Sequence, residues 1–256
     1  MTEKPSLRAR LDAGDTIYTA WVGIPEPMNA EVCGRSGYDA VTLDMQHGFH
    51  DYNSVFRGIS AIALTGVPAI VRIQVGDNAM ASRALDAGAD AVIAPMINSA
   101  GQAREFAGAV KFPPVGERSW GPARVVMLKG CSLPDYLEVA NRETLSFAMI
   151  ETPRALEAID EIMTTPGIDG VFMGPSDLSL TLSNGAEINA TGARADEAAA
   201  RIAAKAREHG LYAAGFAPTP QKARDYREMG YRLIAVGSDA LLIKAGAEAF
   251  LKIARS

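Results

Sequence analysis

The sequence predicts an α/β fold, a single (β/α)8 barrel of the TIM type, and three observations carry that prediction. Short apolar runs rich in Val, Ile and Ala recur along the chain with longer helical patterns between them, the alternation of a parallel sheet covered by helices. The runs are near-continuously apolar, as strands buried on both faces require. The length of 256 residues suits one such barrel.

Eight strands are expected at Ile17–Val22, Ala40–Leu43, Ala69–Ile73, Ala91–Ala94, Ser146–Ile150, Gly170–Met173, Tyr212–Gly215 and Leu233–Val236. Helical patterns fill Asn53–Leu64, Met80–Ala87, Ala100–Val110, Ala155–Met163, Ala193–Glu208 and Thr219–Met229. Gly37, Gly66, Gly88, Gly210 and Gly230 each precede a strand, where a left-handed residue closes a helix. Two stretches break the rhythm: Lys111–Asp135, with Pro113, Pro114, Pro122 and Pro134, and Asn184–Gly192. Loops this long inside a barrel are more often functional than idle. Nothing divides the chain, so residues 1–256 are expected to form one domain.

Composition narrows the function. With 48% hydrophobic and 21% charged residues the chain can bury one large core. Its 25 Lys and Arg against 30 Asp and Glu give a net charge of −5, with no basic cluster; nucleic acid and anionic membranes are not expected partners. No apolar run approaches the roughly 20 residues that span a bilayer, and Met1–Arg10 is polar and charged, so a cytoplasmic location is expected. Cys33 and Cys131 lie far apart without CxxC spacing or paired histidines, and are expected to be free thiols.

In such a barrel the active site lies at the C-terminal ends of the strands. Asp44-Met-Gln-His47 follows the second strand, Arg72 ends the third, Glu151-Thr152 follows the fifth and Gly174-Pro-Ser-Asp177 the sixth. Glu151 and Asp177 would meet across adjacent strands. Two hard oxygen ligands, with the remaining positions open, suit Mg²⁺, Mn²⁺ or Co²⁺; the alternative is that each carboxylate caps a helix or pairs with an arginine. Asp44 could orient His47 as a general base, although one Asp-x-x-His is equally compatible with a loop hydrogen bond. Arg72 would be costly to bury unless it faced an anion, as an enolate-stabilising cation or in a salt bridge to Asp44 or Glu151. The turn at Gly174 opens a helix whose Ser176 and Asp177 amides could receive a carboxylate or phosphate. Trp21 ends the first strand and could wall the site or simply pack in the core. Gly116–Pro122 is a candidate lid, and Arg118, Trp120 and Phe216 are secondary candidates for acceptor contacts.

This set of motifs resembles the HpcH/HpaI aldolases, the class II pyruvate aldolases that include 4-hydroxy-2-oxoheptanedioate aldolase. The most specific match is Met149-Ile-Glu-Thr-Pro-Arg-Ala-Leu156 with Gly167–Ser179, supported by Asp44–His47, Val71-Arg-Ile73 and Gly116–Gly121. The resemblance implies a barrel of the phosphoenolpyruvate/pyruvate-domain type, with Glu151 and Asp177 as metal ligands and His47 as general base oriented by Asp44. It further implies Arg72 as enolate stabiliser, the Ser176 and Asp177 amides under the substrate carboxylate, and a homo-oligomer, commonly a hexamer, that exchanges C-terminal helices. Gln46 stands where the family usually has Glu, and Met149 where it often has Gln.

The expected activity is cleavage of 4-hydroxy-2-oxo acids to pyruvate, or a close 2-oxo acid such as hydroxypyruvate, and an aldehyde. No lysine stands at a strand end to form a Schiff base, which favours metal chemistry. The rivals are a CoA-ester lyase of malyl-CoA or citryl-CoA type and a non-catalytic metabolite-binding barrel.

Overall fold

The computed structural model describes residues 5–256; the first four residues of the polar N-terminal stretch lie outside the described residues. Eight parallel strands close a barrel in sequence order: β1 (Ile17–Val22), β2 (Ala40–Asp44), β3 (Ala69–Arg72), β4 (Ala91–Ala94), β5 (Leu145–Ile150), β6 (Gly170–Met173), β7 (Tyr212–Ala217) and β8 (Leu233–Ser238). β1 pairs with β8, which seals the sheet. The expected strands are all present, with ends displaced by no more than two residues.

Because side chains alternate across a strand, each strand feeds two cores. Ile17, Trp21, Ala40, Ile70, Ile93, Phe147, Met149, Phe172 and Leu233 fill the barrel interior, closed at one end by Leu7 and Leu11 of the short helix Leu7–Asp12. Val41, Leu43, Val71, Val92, Ile150, Val171 and Ile234 face outward and meet the helices through Val55, Ile59, Leu85, Phe106 and Ile202. Inside the barrel the Thr19 and Thr42 hydroxyls satisfy one another at 2.8 Å.

The helices follow their sequence signals where caps are strong. Asp51 and Ser54 form a capping box at the start of Tyr52–Ala63, and Ser99 caps Ala100–Val110. The five glycines that precede strands all take positive φ, Gly88 at 115° and Gly230 at 105° among them. The pattern over Ala155–Met163 resolves into two short helices, Pro153–Glu157 and Ile159–Met163, joined at Ala158. The stretch Lys111–Asp135 is not a plain loop: it contains the helix Ala123–Lys129 and the start of Leu133–Glu143. Its prolines misled because Pro122 and Pro134 stand at helix N-termini, where a missing N–H costs nothing.

The C-terminal helix Asp239–Ala254 differs from the rest. Asp239 is its one buried residue. Leu241, Leu242, Ile243, Phe250, Leu251 and Ile253 are all exposed. No helix is long and apolar enough to cross a membrane among the described residues, and Cys33 and Cys131 are free.

Candidate active site

The period-two alternation that fills the barrel also aims the last inward residues of several strands, and the residue just beyond β5, at its C-terminal mouth. Trp21, Asp44, Arg72, Glu151 and Phe216 meet there around a cavity of about 340 Å³. His47, from the loop after β2, and Ser176 and Asp177, from the first turn of the helix Pro175–Leu182, line the same cavity. Eight residues singled out from the sequence, Trp21, Asp44, His47, Arg72, Glu151, Ser176, Asp177 and Phe216, are thus brought together.

Asp44 and Arg72 are in-register neighbours on β2 and β3. The Arg72 Nε donates to Asp44 Oδ1 at 2.8 Å and its Nη2 to Oδ2 at 2.7 Å. Trp21 Nε1 donates to Oδ2 at 3.1 Å, and the guanidinium lies over the indole, 4.8 Å from the ring centroid. Their side chains are only 8% and 5% exposed, a depth at which an ion pair must be well bonded to persist. Burial opposes the Asp44 charge. Arg72, followed by the amides of His47 and Gln46, outweighs it and holds the carboxyl below its ordinary range.

Of the two readings of Asp44 and His47, this geometry shows the loop hydrogen bond. Asp44 accepts the backbone N–H of His47, at 3.4 Å, while its side-chain partners are Arg72 and Trp21. A bidentate guanidinium is the stronger claimant for both carboxylate oxygens. The His47 side chain is exposed at the mouth of the cavity.

Glu151 is 1% exposed. Its Oε2 accepts the Met96 N–H at 3.0 Å, and its Oε1 has no partner among the described residues. Burial pushes its pKa up to about 7, the Met96 amide and Arg72 working against the rise and the nearby Asp177 charge adding to it. Gly174 makes the arrangement possible, because a Cβ there would collide with Glu151 Oε1. Among the described residues there is no cluster of three or more His, Cys, Asp or Glu arranged to hold a metal. The donors that fit a divalent ion are therefore two hard carboxylates, one carrying a buried oxygen without a partner.

The helix Pro175–Leu182 begins with Gly174 as N-cap and Pro175 in its first turn, and no side chain caps it. The first-turn amides, including those of Ser176 and Asp177, are left for an anion. Thr181 Oγ1 donates to the Glu151 carbonyl at 2.9 Å and ties this helix to the end of β5. Trp21 packs against Phe172 and Phe216, each ring centroid 5.6 Å away, as an apolar wall.

Other expectations fall outside this cavity. Arg118 is buried against Asp86 at 2.6 Å and over the Phe112 ring, and Trp120 packs on Phe112 and Tyr136. These contacts hold the Gly116–Pro122 segment on the flank of the barrel, away from this chain's own cavity. Sequence reasoning missed Met96 and Asp239, whose contributions depend on a backbone amide and on a helix start that no motif marks.

The HpcH/HpaI aldolase/citrate lyase family matches residues 18–245. A hydroxypyruvate/pyruvate aldolase of Rhizorhabdus wittichii is 35% identical over 250 residues, covering 98% of both chains. A 4-hydroxy-2-oxo-heptane-1,7-dioate aldolase of Escherichia coli is 31% identical, over 95% of this chain and 92% of its own. The crystal structure of an HpcH/HpaI aldolase/citrate lyase family protein from Burkholderia cenocepacia superposes with a TM-score of 0.87 at 30% identity, covering 98% of this chain and 99% of that one. The chain belongs to the HpcH/HpaI aldolase/citrate lyase family and is a lyase of the aldolase kind.

Proposed function

We propose that the chain, acting as one domain, reversibly cleaves 4-hydroxy-2-oxo acids to an aldehyde and pyruvate, or a close 2-oxo acid such as hydroxypyruvate. Glu151 and Asp177 hold a divalent ion, Mg²⁺, Mn²⁺ or Co²⁺. The observation that carries this reading is Glu151 Oε1, a buried carboxylate oxygen without a partner at the wall of a cavity shared with Asp177. Such an atom is costly unless a cation or donor completes it. When bound, the ion supplies a Lewis acid for the 2-oxo group and positive charge for the enolate.

The remaining work falls to the chain. Ser176 and Asp177 amides at the helix start bind the substrate carboxylate. His47, exposed at the mouth, accepts the proton of the 4-hydroxyl group as the carbon–carbon bond breaks. Arg72, locked by Asp44 and Trp21, presents its remaining edge to the developing enolate oxygen. Trp21, Phe172 and Phe216 keep water from the carbanion. A cavity of about 340 Å³ suits a small 2-oxo acid better than a CoA ester. The names of the relatives from R. wittichii and E. coli support the same substrate class.

A homo-oligomer is part of the proposal, supported by the exposed apolar side chains of Asp239–Ala254; a hexamer rests on family resemblance. Two free cysteines suit a reducing compartment, and the cytoplasm is the proposed location.

The test is pyruvate release from 4-hydroxy-2-oxo acids, coupled to lactate dehydrogenase, in metal-stripped protein with and without each ion. Release restored by metal is expected. A folded protein that releases nothing with any of the three ions, across several substrate lengths, would sink the reading.

A further inference from the structure

Glu151 is held in place by a closed ring of hydrogen bonds that spans the ends of β4 and β5. The Met96 N–H donates to Glu151 Oε2 at 3.0 Å, and Met96 itself sits at φ 57°. A residue other than glycine in the left-handed region is strained and keeps that conformation only when its surroundings impose it. The imposing group is Asn98. Its Nδ2 donates to the Met96 carbonyl at 2.9 Å, and its Oδ1 accepts the Thr152 hydroxyl. Thr152 is the next residue after Glu151 and caps the helix Pro153–Glu157 through the Ala155 N–H at 3.0 Å. Asn98 is itself pinned, its N–H donating to Gln102 Oε1 at 2.7 Å.

We infer that Asn98 is a positioning residue for the metal site: its amide bridges Met96 to Thr152 and so aims the Met96 N–H at one oxygen of Glu151, leaving the other free for the cation. Each half of the amide has its own task. The NH₂ group fixes the left-handed turn at Met96, and the carbonyl fixes the residue that follows Glu151. An aspartate in its place keeps the second contact and sets a carboxylate oxygen against the Met96 carbonyl, so it should fail as an alanine does.

The inference rests on Glu151 as a metal ligand, and the experiment separates the two. Mn²⁺ binding to metal-stripped protein is measured by isothermal titration calorimetry for wild type, Glu151→Gln, Asn98→Ala and Asn98→Asp, with circular dichroism melts as the folding control. Loss of a group that orients a ligand typically costs about 10- to 100-fold in metal affinity. Asn98→Ala and Asn98→Asp should both weaken Mn²⁺ by at least about tenfold in that range. The near-isosteric Asn98→Asp decides the matter if Asn98→Ala fails to fold. Wild-type affinity in a folded Asn98 variant, with binding lost in Glu151→Gln, overturns the positioning role alone. Wild-type protein that binds no Mn²⁺ overturns the metal reading and this inference with it.

Discussion

Asp44 and Arg72 face each other in register across β2 and β3 and close on one another through contacts of 2.8 and 2.7 Å, with the Trp21 indole N–H bonded to the same carboxylate. The pair fixes the guanidinium plane before any substrate arrives. Its Nη1 engages no acceptor among the described residues, and Arg72 lines the cavity.

Replacing Arg72 by alanine should therefore lower kcat/KM by about 10²–10³, the usual cost of one preorganised donor at a developing anion. Arg72→Lys keeps the charge but cannot make the two-pronged contact with Asp44, and should recover little of the loss. Steady-state kinetics with a 4-hydroxy-2-oxo acid checks both, and activity within tenfold of wild type in Arg72→Ala removes Arg72 from the mechanism.

The same pair sets an acid-side limit on stability. Asp44 is held below its ordinary value, so the folded chain releases that proton more readily than the unfolded chain does. The pair's contribution is complete above the unfolded value of about 4 and is lost as pH falls through the folded value. Asp44→Asn, which leaves a buried Arg72 without its anion, should cost about 3 kcal/mol near neutrality. The gap in Tm between the variant and wild type should narrow as pH is taken from 7 down through the acid range, and a gap independent of pH refutes the account.

Glu151→Gln preserves shape while removing the negative charge. Burial already pushes Glu151 to about 7, so the neutral amide should disturb the metal-free fold by no more than a few degrees in Tm. Divalent-ion binding and aldol cleavage should disappear together. Aldol cleavage that survives in the variant would remove Glu151 from the metal site.

Gly174→Ala tests the closeness of the helix Pro175–Leu182 to Glu151. The added methyl group meets Oε1 directly, so either the carboxylate or the helix start must move. Metal affinity should fall by about tenfold or more, on the scale of other changes that misplace a ligand. Calorimetry showing unchanged affinity would mean that the two elements are free to separate.

The helix Asp239–Ala254 yields a prediction about assembly. Phe250 is 80% exposed and Ile253 76%. Apolar side chains of this size gathered on one element mark an interface. Wild type should elute as an oligomer in light scattering coupled to size exclusion, and Phe250→Glu with Ile253→Glu should shift the mass toward the monomer. A monomeric wild type rejects the assembly.

What could be read from the sequence divides along physical lines. Near-continuous apolar runs admit few alternatives, so β4 and β6 have the ends expected for them. The residues just beyond the runs, Glu151 and Asp177 among them, line the cavity as the barrel rule requires. Sequence spacing left a choice where two partners competed for one group: Asp44 is three positions from His47, yet its side chain goes to Arg72, 28 positions away, one of the two salt bridges the sequence allowed. Met96 was invisible because its part is played by a backbone N–H at an unusual φ, and Asn98 because its side-chain amide acts through Met96 and Thr152. The helix Asp239–Ala254 was implied only by resemblance and not read from its residues, its exposed apolar side chains lacking the one-sided pattern of a helix packed on its own barrel.

Asp239 gives that helix a divided loyalty. Its carboxylate accepts from the N–H groups of Gly23, Ile24 and Ala240 and from the Asn29 amide, at 2.6 to 3.1 Å. The first turn is thereby bolted to the rim of the cup, while the turns beyond it project outward. Substitutions in the outer turns can thus change what this helix meets without the rim of the cavity being rebuilt.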